Sequence, residues 1–384
     1  MQTTHTDHRS QIVSSLCTVY RAPGFHCRRC ADSCPVEAIE IGRQGPRISA
    51  KCIGCGICFA SCPNGAFCLN GSDEEAGCLR AAAQASVKKK APLRISCRRG
   101  DDAADVIVPC LARLTEASLL APFKEGVAAI ELLQPTCASC KWHRAAPLIR
   151  ETLARTQKLL EMIGISAGNI RLCDTRFKAA EAEPDRSISR RGLLREIGAR
   201  ALQATVEKMP VISDQSGENA ADGEFQENLR KREPNEKRIR LLKSIDGFEA
   251  VQVVAIPAAL APLAEVYVTE QCMGCKACAT LCPTGAIVLE EDHASFCLKF
   301  VANLCSNCGL CHELCRHGAL HRKEEVVLNK LLKSEESILF ESRVKSCRIC
   351  GFDFVGNGNE VCALCASRIK KQQDLVRNLT VVEI

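Results

Sequence analysis

The chain has 384 residues, 46% of them hydrophobic, which is enough for several buried cores, and a formal net charge of +6. Its 28 cysteines would mean a secreted disulfide scaffold if paired, but they recur in steps of three followed by proline, which is metal or cluster spacing. The opening "MQTTHTDHRSQIVSSLC" is polar and no run of about 18 apolar residues occurs, so neither a secretory signal nor a membrane span is expected, and the compartment reads as reducing and cytoplasmic.

Taken in chain order, residues 1–90 are cysteine-dense and end in "AAAQASVKKKAP" (81–92), a helix end and connector. Residues 91–180 alternate short β-type runs ("PLRISC", "ADVIVPC", "VAAIELLQPTC", "NIRLC") with "LARLTEASLLAPFKEG" and "HRAAPLIRETLARTQKLLEMIGI", which space apolar residues as helices do. That alternation predicts a parallel sheet covered by helices. Residues 181–264 are charged and poorly periodic, and read as a linker. Within them "SISRRGLLREIGARAL" (187–202) has the paired arginines of an export signal, but no apolar stretch follows, so it reads as a basic amphipathic helix. Residues 265–325 are a second cysteine-dense block, and 326–384 carry two further CxxC pairs. The expected class is α+β multidomain: two small cysteine-rich modules, a parallel α/β domain between them, and a zinc-ribbon-like end.

The two dense blocks are an internal repeat. "GFHCRRCADSCPVEAI" (24–39) parallels "QCMGCKACATLCPTGAI" (271–287), but Gly24 stands where the second has its leading Cys272. Three cysteines in steps of three wrap one loop around three corners of a cubane cluster, which needs tight turns; Gly54, Gly56, Gly274 and Gly309 supply them. Zinc sites use paired CxxC knuckles instead. These stretches, about 15–70 and 268–322, resemble bacterial-type 2[4Fe-4S] ferredoxins, in which each cluster borrows its fourth thiolate from the other motif. The resemblance implies one cluster on Cys272, Cys275, Cys278 and Cys315, and another on Cys305, Cys308, Cys311 and Cys282. In the first block it implies Cys52, Cys55, Cys58 and Cys34 for one cluster. The other has Cys27, Cys30 and Cys62, with one iron lacking a partner. Cys17 is the expected fourth ligand, since Pro23 and Gly24 make a turn that folds it back. The alternatives are Cys68, a [3Fe-4S] cluster, or no cluster there. Arg316 replaces the proline after Cys315, which should alter the local backbone without affecting ligation and place a positive charge near a cluster. Four oxidised clusters, each about −2 with its thiolates, bring the chain to about −2. No nucleic-acid partner is therefore expected.

Cys97, Cys110, Cys137 and Cys140 stand at or just after the ends of three expected parallel strands, the edge where cofactors bind. "PCLARLTEASLLAPFKEGVAAIELLQPTCASCKWH" and "RTQKLLEMIGISAGNIRL" resemble the delta subunit of the methanogen-type hydrogenases that feed heterodisulfide reductase. That resemblance implies a [2Fe-2S] site on these four cysteines; the family has a cysteine pair near the first strand where "SCRRGDD" has one, and Cys173, ending the fourth run, is the candidate replacement for the missing one. Thiol-disulfide chemistry at Cys137 and Cys140 is the alternative. Cys347, Cys350, Cys362 and Cys365 form two knuckles eleven residues apart, which suits a tetrahedral zinc ion, with a single iron as competitor. Cys68, Cys78, Cys173 and Cys297 are left over and read mostly as buried thiols.

No catalytic constellation is found. The expected function is a multi-cluster electron-transfer subunit of an oxidoreductase complex, with redox enzyme subunits and other electron carriers as partners: a hydrogenase, a formate dehydrogenase or a heterodisulfide-reductase-like complex. An iron-sulfur redox sensor or assembly factor is the alternative.

Overall fold

The computed structural model describes residues 11–68, 72–100, 103–175, 232–249, 252–355 and 360–380. The twin-arginine stretch 187–202 lies outside them. The centre of the fold is a four-stranded parallel sheet in the order Val106–Val108, Leu93–Cys97, Ile130–Pro135, Ile170–Thr175. Its strands are the β-branched and aliphatic runs of the sequence, because a parallel sheet is covered on both faces and selects continuous apolar residues. Helices Glu116–Lys124 and Ala146–Met162 make the crossovers. The first starts at Thr115, whose side chain accepts the Ser118 N–H at 3.3 Å and so satisfies a helix-end donor. Leu93, Ile95, Ile130, Leu132 and Ile170 are buried together with Leu119, Leu120, Leu159, Leu160 and Met162. Leu132→Ala is expected to cost about 2–5 kcal/mol by the cavity it leaves, read as faster amide exchange along Ile130–Pro135 and both neighbouring strands.

The two cysteine-dense blocks share one plan. In each, a terminal strand pair closes the block (Gln11–Ile12 with Phe67–Cys68; Val266–Val268 with Leu320–Arg322) and a hairpin crosses it (Ile39–Gly42 with Gly45–Ile48; Ile287–Glu291 with Ser295–Val301). One-turn helices follow the cysteine loops, at Arg29–Asp32 and Ile57–Ser61 in the first and at Ala277–Thr280 and Leu310–Glu313 in the second.

Two sequence boundaries move. The linker assigned to 181–264 includes structured residues from 232 on: helix Glu236–Ile245 buries Arg238, Leu241, Ser244 and Ile245, and strand Ala255–Pro257 pairs with Glu325–Val327. Asn235 caps that helix by accepting the Arg238 N–H at 3.0 Å. The helix packs into the same core as the parallel sheet, so its charges decorate a buried element rather than a solvated coil. The division at 325/326 is crossed by a sheet, since Glu336–Ser346 adds to Ser295–Val301 and then pairs with Asp353–Val355. No helix among the described residues is long and apolar enough to cross a membrane.

Candidate metal centres

All cysteines of the described residues are free thiols. In the first block, helix Thr18–Arg21 begins directly after Cys17 and turns that thiol inward, 3.6 Å from where a side chain on Gly45 would start. Cys17 thereby sits with Cys27, Cys30 and Cys62. Burial, and then the neighbouring thiols of Cys62 and Cys27, raise the pKa of Cys17; burial and Cys62, Cys27 and Cys17 raise that of Cys30. Cys55 is raised by burial and by Cys34 and Cys52. Cys34 and Cys58 are buried in the same small core, with Cys52 packed against it.

The loops achieve this with a repeated backbone device. Where three cysteines are spaced by three, the residues on either side of the middle one are left-handed: Gly54 and Gly56, Gly274 and Lys276, Asn307 and Gly309. Lys276 and Asn307 hold this conformation without being glycine, a strain of order 1–3 kcal/mol that the surrounding loop must enforce. The Cys27–Cys34 loop departs from the pattern. It runs into a right-handed turn at Arg29–Asp32, and it is the loop that recruits Cys17.

A second device follows each fourth cysteine. A left-handed residue three positions on (Glu37, Gly65, Gly285, Gly318) turns the chain back. The next N–H then reaches the sulfur: Ala38 to Cys34 at 3.3 Å, Ala66 to Cys62 at 3.5 Å, Ala319 to Cys315 at 3.2 Å. Those alanines, with Ala286, are fully buried, which accounts for the alanine in the repeated motif. The turn after Cys315 keeps its geometry although Arg316 replaces proline. Gly318 N–H still bonds Cys315 O at 2.9 Å, so the local distortion expected from that substitution is absent.

In the second block Cys278 is pushed up to about 12 by burial and by Cys275, Cys272 and Cys315. Cys308 is likewise pushed up to about 12 by burial and by Cys282 and Cys305, and Cys311 is raised by burial and by Cys305, Cys308 and Cys282. In the parallel sheet, Cys97 ends one strand and Cys110, Cys137 and Cys140 follow two others. The four line a cavity of about 230 Å³ with Pro109, Pro135 and Trp142. Burial and the other three thiols push Cys110 up to about 12. Trp142 N–H bonds the Cys140 sulfur at 3.4 Å. Thiols gathered this closely away from water resist ionising unless a cation joins them, which is the environment a cluster or ion relieves.

The C-terminal quartet differs in scale. The sulfurs of Cys347, Cys350, Cys362 and Cys365 all lie within 4.8 Å of one another, the only such group among the described residues. Tetrahedral zinc–sulfur bonds of about 2.3 Å span such a group. No other thiol group among the described residues is this compact. Cys347 falls to about 6, chiefly because it accepts the Cys362 and Cys350 N–H groups. If this quartet holds zinc, replacing Cys350 with serine should remove it from the purified protein while leaving the iron content unchanged, as measured by elemental analysis. The strand Asp353–Val355, between the two knuckles, abuts the second block: a side chain on Gly274 would start 2.2 Å from Val355 Cγ2.

Contacts between elements put the quartets in a row. Cys110 is followed by the turn Leu111–Arg113, whose Arg113 donates to Cys55 O at 3.4 Å. Cys58 lies next to Cys30 across the first block. The blocks then meet directly: Asn64, two residues after Cys62, bonds Ser306 beside Cys305, and Arg21 donates to Leu281 O at 2.9 Å and Thr280 O at 2.8 Å. Cys278 lies next to Cys311 across the second block.

The leftover thiols are not buried as expected. Cys78 is exposed, and Cys68, Cys173 and Cys297 are partly exposed on strands whose alternate residues face the cores.

One family, described as 4Fe-4S binding domain, matches residues 265–288, the stretch with Cys272, Cys275, Cys278 and Cys282. No curated protein matches the chain. The match and the cysteine-rich loops together make this an iron-sulfur electron-transfer protein with at least one [4Fe-4S] site.

Proposed function

We propose that the chain is an electron-relay subunit of a hydrogenase, formate dehydrogenase or heterodisulfide-reductase-like complex, working in a reducing compartment. One observation carries this reading: five thiol quartets lie in an unbroken order, Cys97/Cys110/Cys137/Cys140, then Cys34/Cys52/Cys55/Cys58, Cys17/Cys27/Cys30/Cys62, Cys282/Cys305/Cys308/Cys311 and Cys272/Cys275/Cys278/Cys315. In this reading the first holds [2Fe-2S] and the other four hold [4Fe-4S], and Cys347/Cys350/Cys362/Cys365 holds zinc. Bound clusters supply one-electron storage. The chain's residues supply the rest: N–H donors aimed at sulfur, loops that exclude water, and contacts that keep neighbouring sites adjacent.

One end of the row is open to partners. Cys275 is exposed, and the adjoining C-terminal segment presents Phe352 and Leu364, 76% and 84% exposed, as an apolar contact surface. The purified subunit should take up several electrons per chain in an anaerobic dithionite titration and turn over no small substrate. Steady turnover without a partner would contradict the relay reading.

A further inference from the structure

We propose that Arg21, Lys237 and Arg238 hold the two inner sites of the row at higher potential than the two outer [4Fe-4S] sites, making the inner pair a two-electron store. This rests on the reading of those quartets as [4Fe-4S] sites.

The three cations converge on the junction of the two blocks, with Arg232 at its exposed rim. Lys237 donates to the carbonyls of Ala60 and, at 3.1 Å, Cys62. Arg238, the next residue, donates to the carbonyls of Cys305 and Pro262. Arg232 donates to the carbonyls of Cys282 and, at 2.9 Å, Ala279. Arg21, only 1% exposed, bonds the carbonyls of Thr280 and Leu281, just before Cys282. One side chain therefore reaches Cys62 of the first block, and the others reach Cys282 and Cys305 of the second. Burial lowers the pKa of Lys237, Arg238 and Arg21, and the nearby sulfurs of Cys62, Cys305 and Cys282 act against that lowering. Glu116 is the carboxylate facing Lys237 and Arg238, and it is itself matched by Arg155 at 3.2 Å.

The outer sites are built differently. The cation at Cys55 is Arg113, which is paired with Glu75. Beside Cys275, Lys276 is paired with Glu291 at 2.6 Å. Arg316, next to Cys315, is exposed and so screened by water. A buried positive charge favours the reduced, more negative state of a nearby cluster, and low dielectric strengthens that preference. The collar therefore stabilises an electron on each inner site. It also lies between the two, where it offsets the repulsion that a first electron exerts on a second. Each inner site takes one electron, delivered from the reduced site beside it.

The test is a potential-graded EPR titration of the cluster-loaded full chain, with signals assigned by Cys27→Ser and Cys308→Ser for the inner sites and Cys55→Ser and Cys275→Ser for the outer ones. The inner signals should appear at higher potential. Lys237→Gln should lower the first inner site, and Arg238→Gln the second, by at least a tenfold change in reduction equilibrium, about 59 mV for one electron. Lys237→Arg and Arg238→Lys, which keep the charge, should restore each potential, with iron content unchanged throughout. Inner sites at or below the outer ones, or equal shifts in the glutamine and charge-keeping variants, would overturn the inference. Iron analysis that finds the inner quartets empty would sink the cluster reading as well, and is told apart by the missing iron.

Discussion

Replacing Cys17 with serine should remove roughly one iron per chain if the site at Cys27, Cys30 and Cys62 becomes [3Fe-4S], or about four if it empties. The other clusters should keep their EPR signals. The expectation follows from placement: Cys17 is the thiol that the Cys27–Cys34 loop gathers where the other loops have a cysteine of their own. Cys68, on the strand paired with Gln11–Ile12, is the control, and Cys68→Ser should leave the iron count unchanged. An unaltered spectrum in Cys17→Ser would reject its role.

Stripping iron should unfold the two cysteine-dense blocks and spare the parallel sheet. The core of the first block is small and made partly of its own ligands: Cys30, Cys34 and Cys58 are buried among Leu16, Ile39, Phe59, Phe67 and three alanines. That apolar surface is too little to offset chain entropy once the ligands repel one another. The sheet core rests instead on branched aliphatics such as Ile95, Leu132 and Leu159. Hydrogen exchange should show protection falling about a thousandfold along Ile39–Ile48 and Val266–Val268, and by less than about tenfold along Ile130–Pro135. Uniform loss across all three would show that the sheet depends on the clusters.

The parallel sheet was legible because its strands are short apolar runs ending in cysteine and its helices keep a 3.6-residue period. The triplet cysteine loops were legible because their spacing has few other uses. Three features were hidden. The helix at Glu236–Ile245 was masked by charge, although Asn235 is a cap and Leu241, Leu242 and Ile245 are its core-facing apolar residues. The roles of Lys237 and Arg238 were invisible, since their partners are backbone carbonyls contributed by other segments. The sheet joining Glu336–Ser346 to the second block is likewise a long-range pairing with no local signature.

The most direct test of the central claim is anaerobic iron, sulfide and zinc analysis combined with EPR at graded potentials. Five iron-sulfur sites in a row and one zinc predict roughly 18 irons and about one zinc per chain, with spin coupling between neighbouring signals. About four irons per chain, with the remaining thiols open to alkylation, would contradict it.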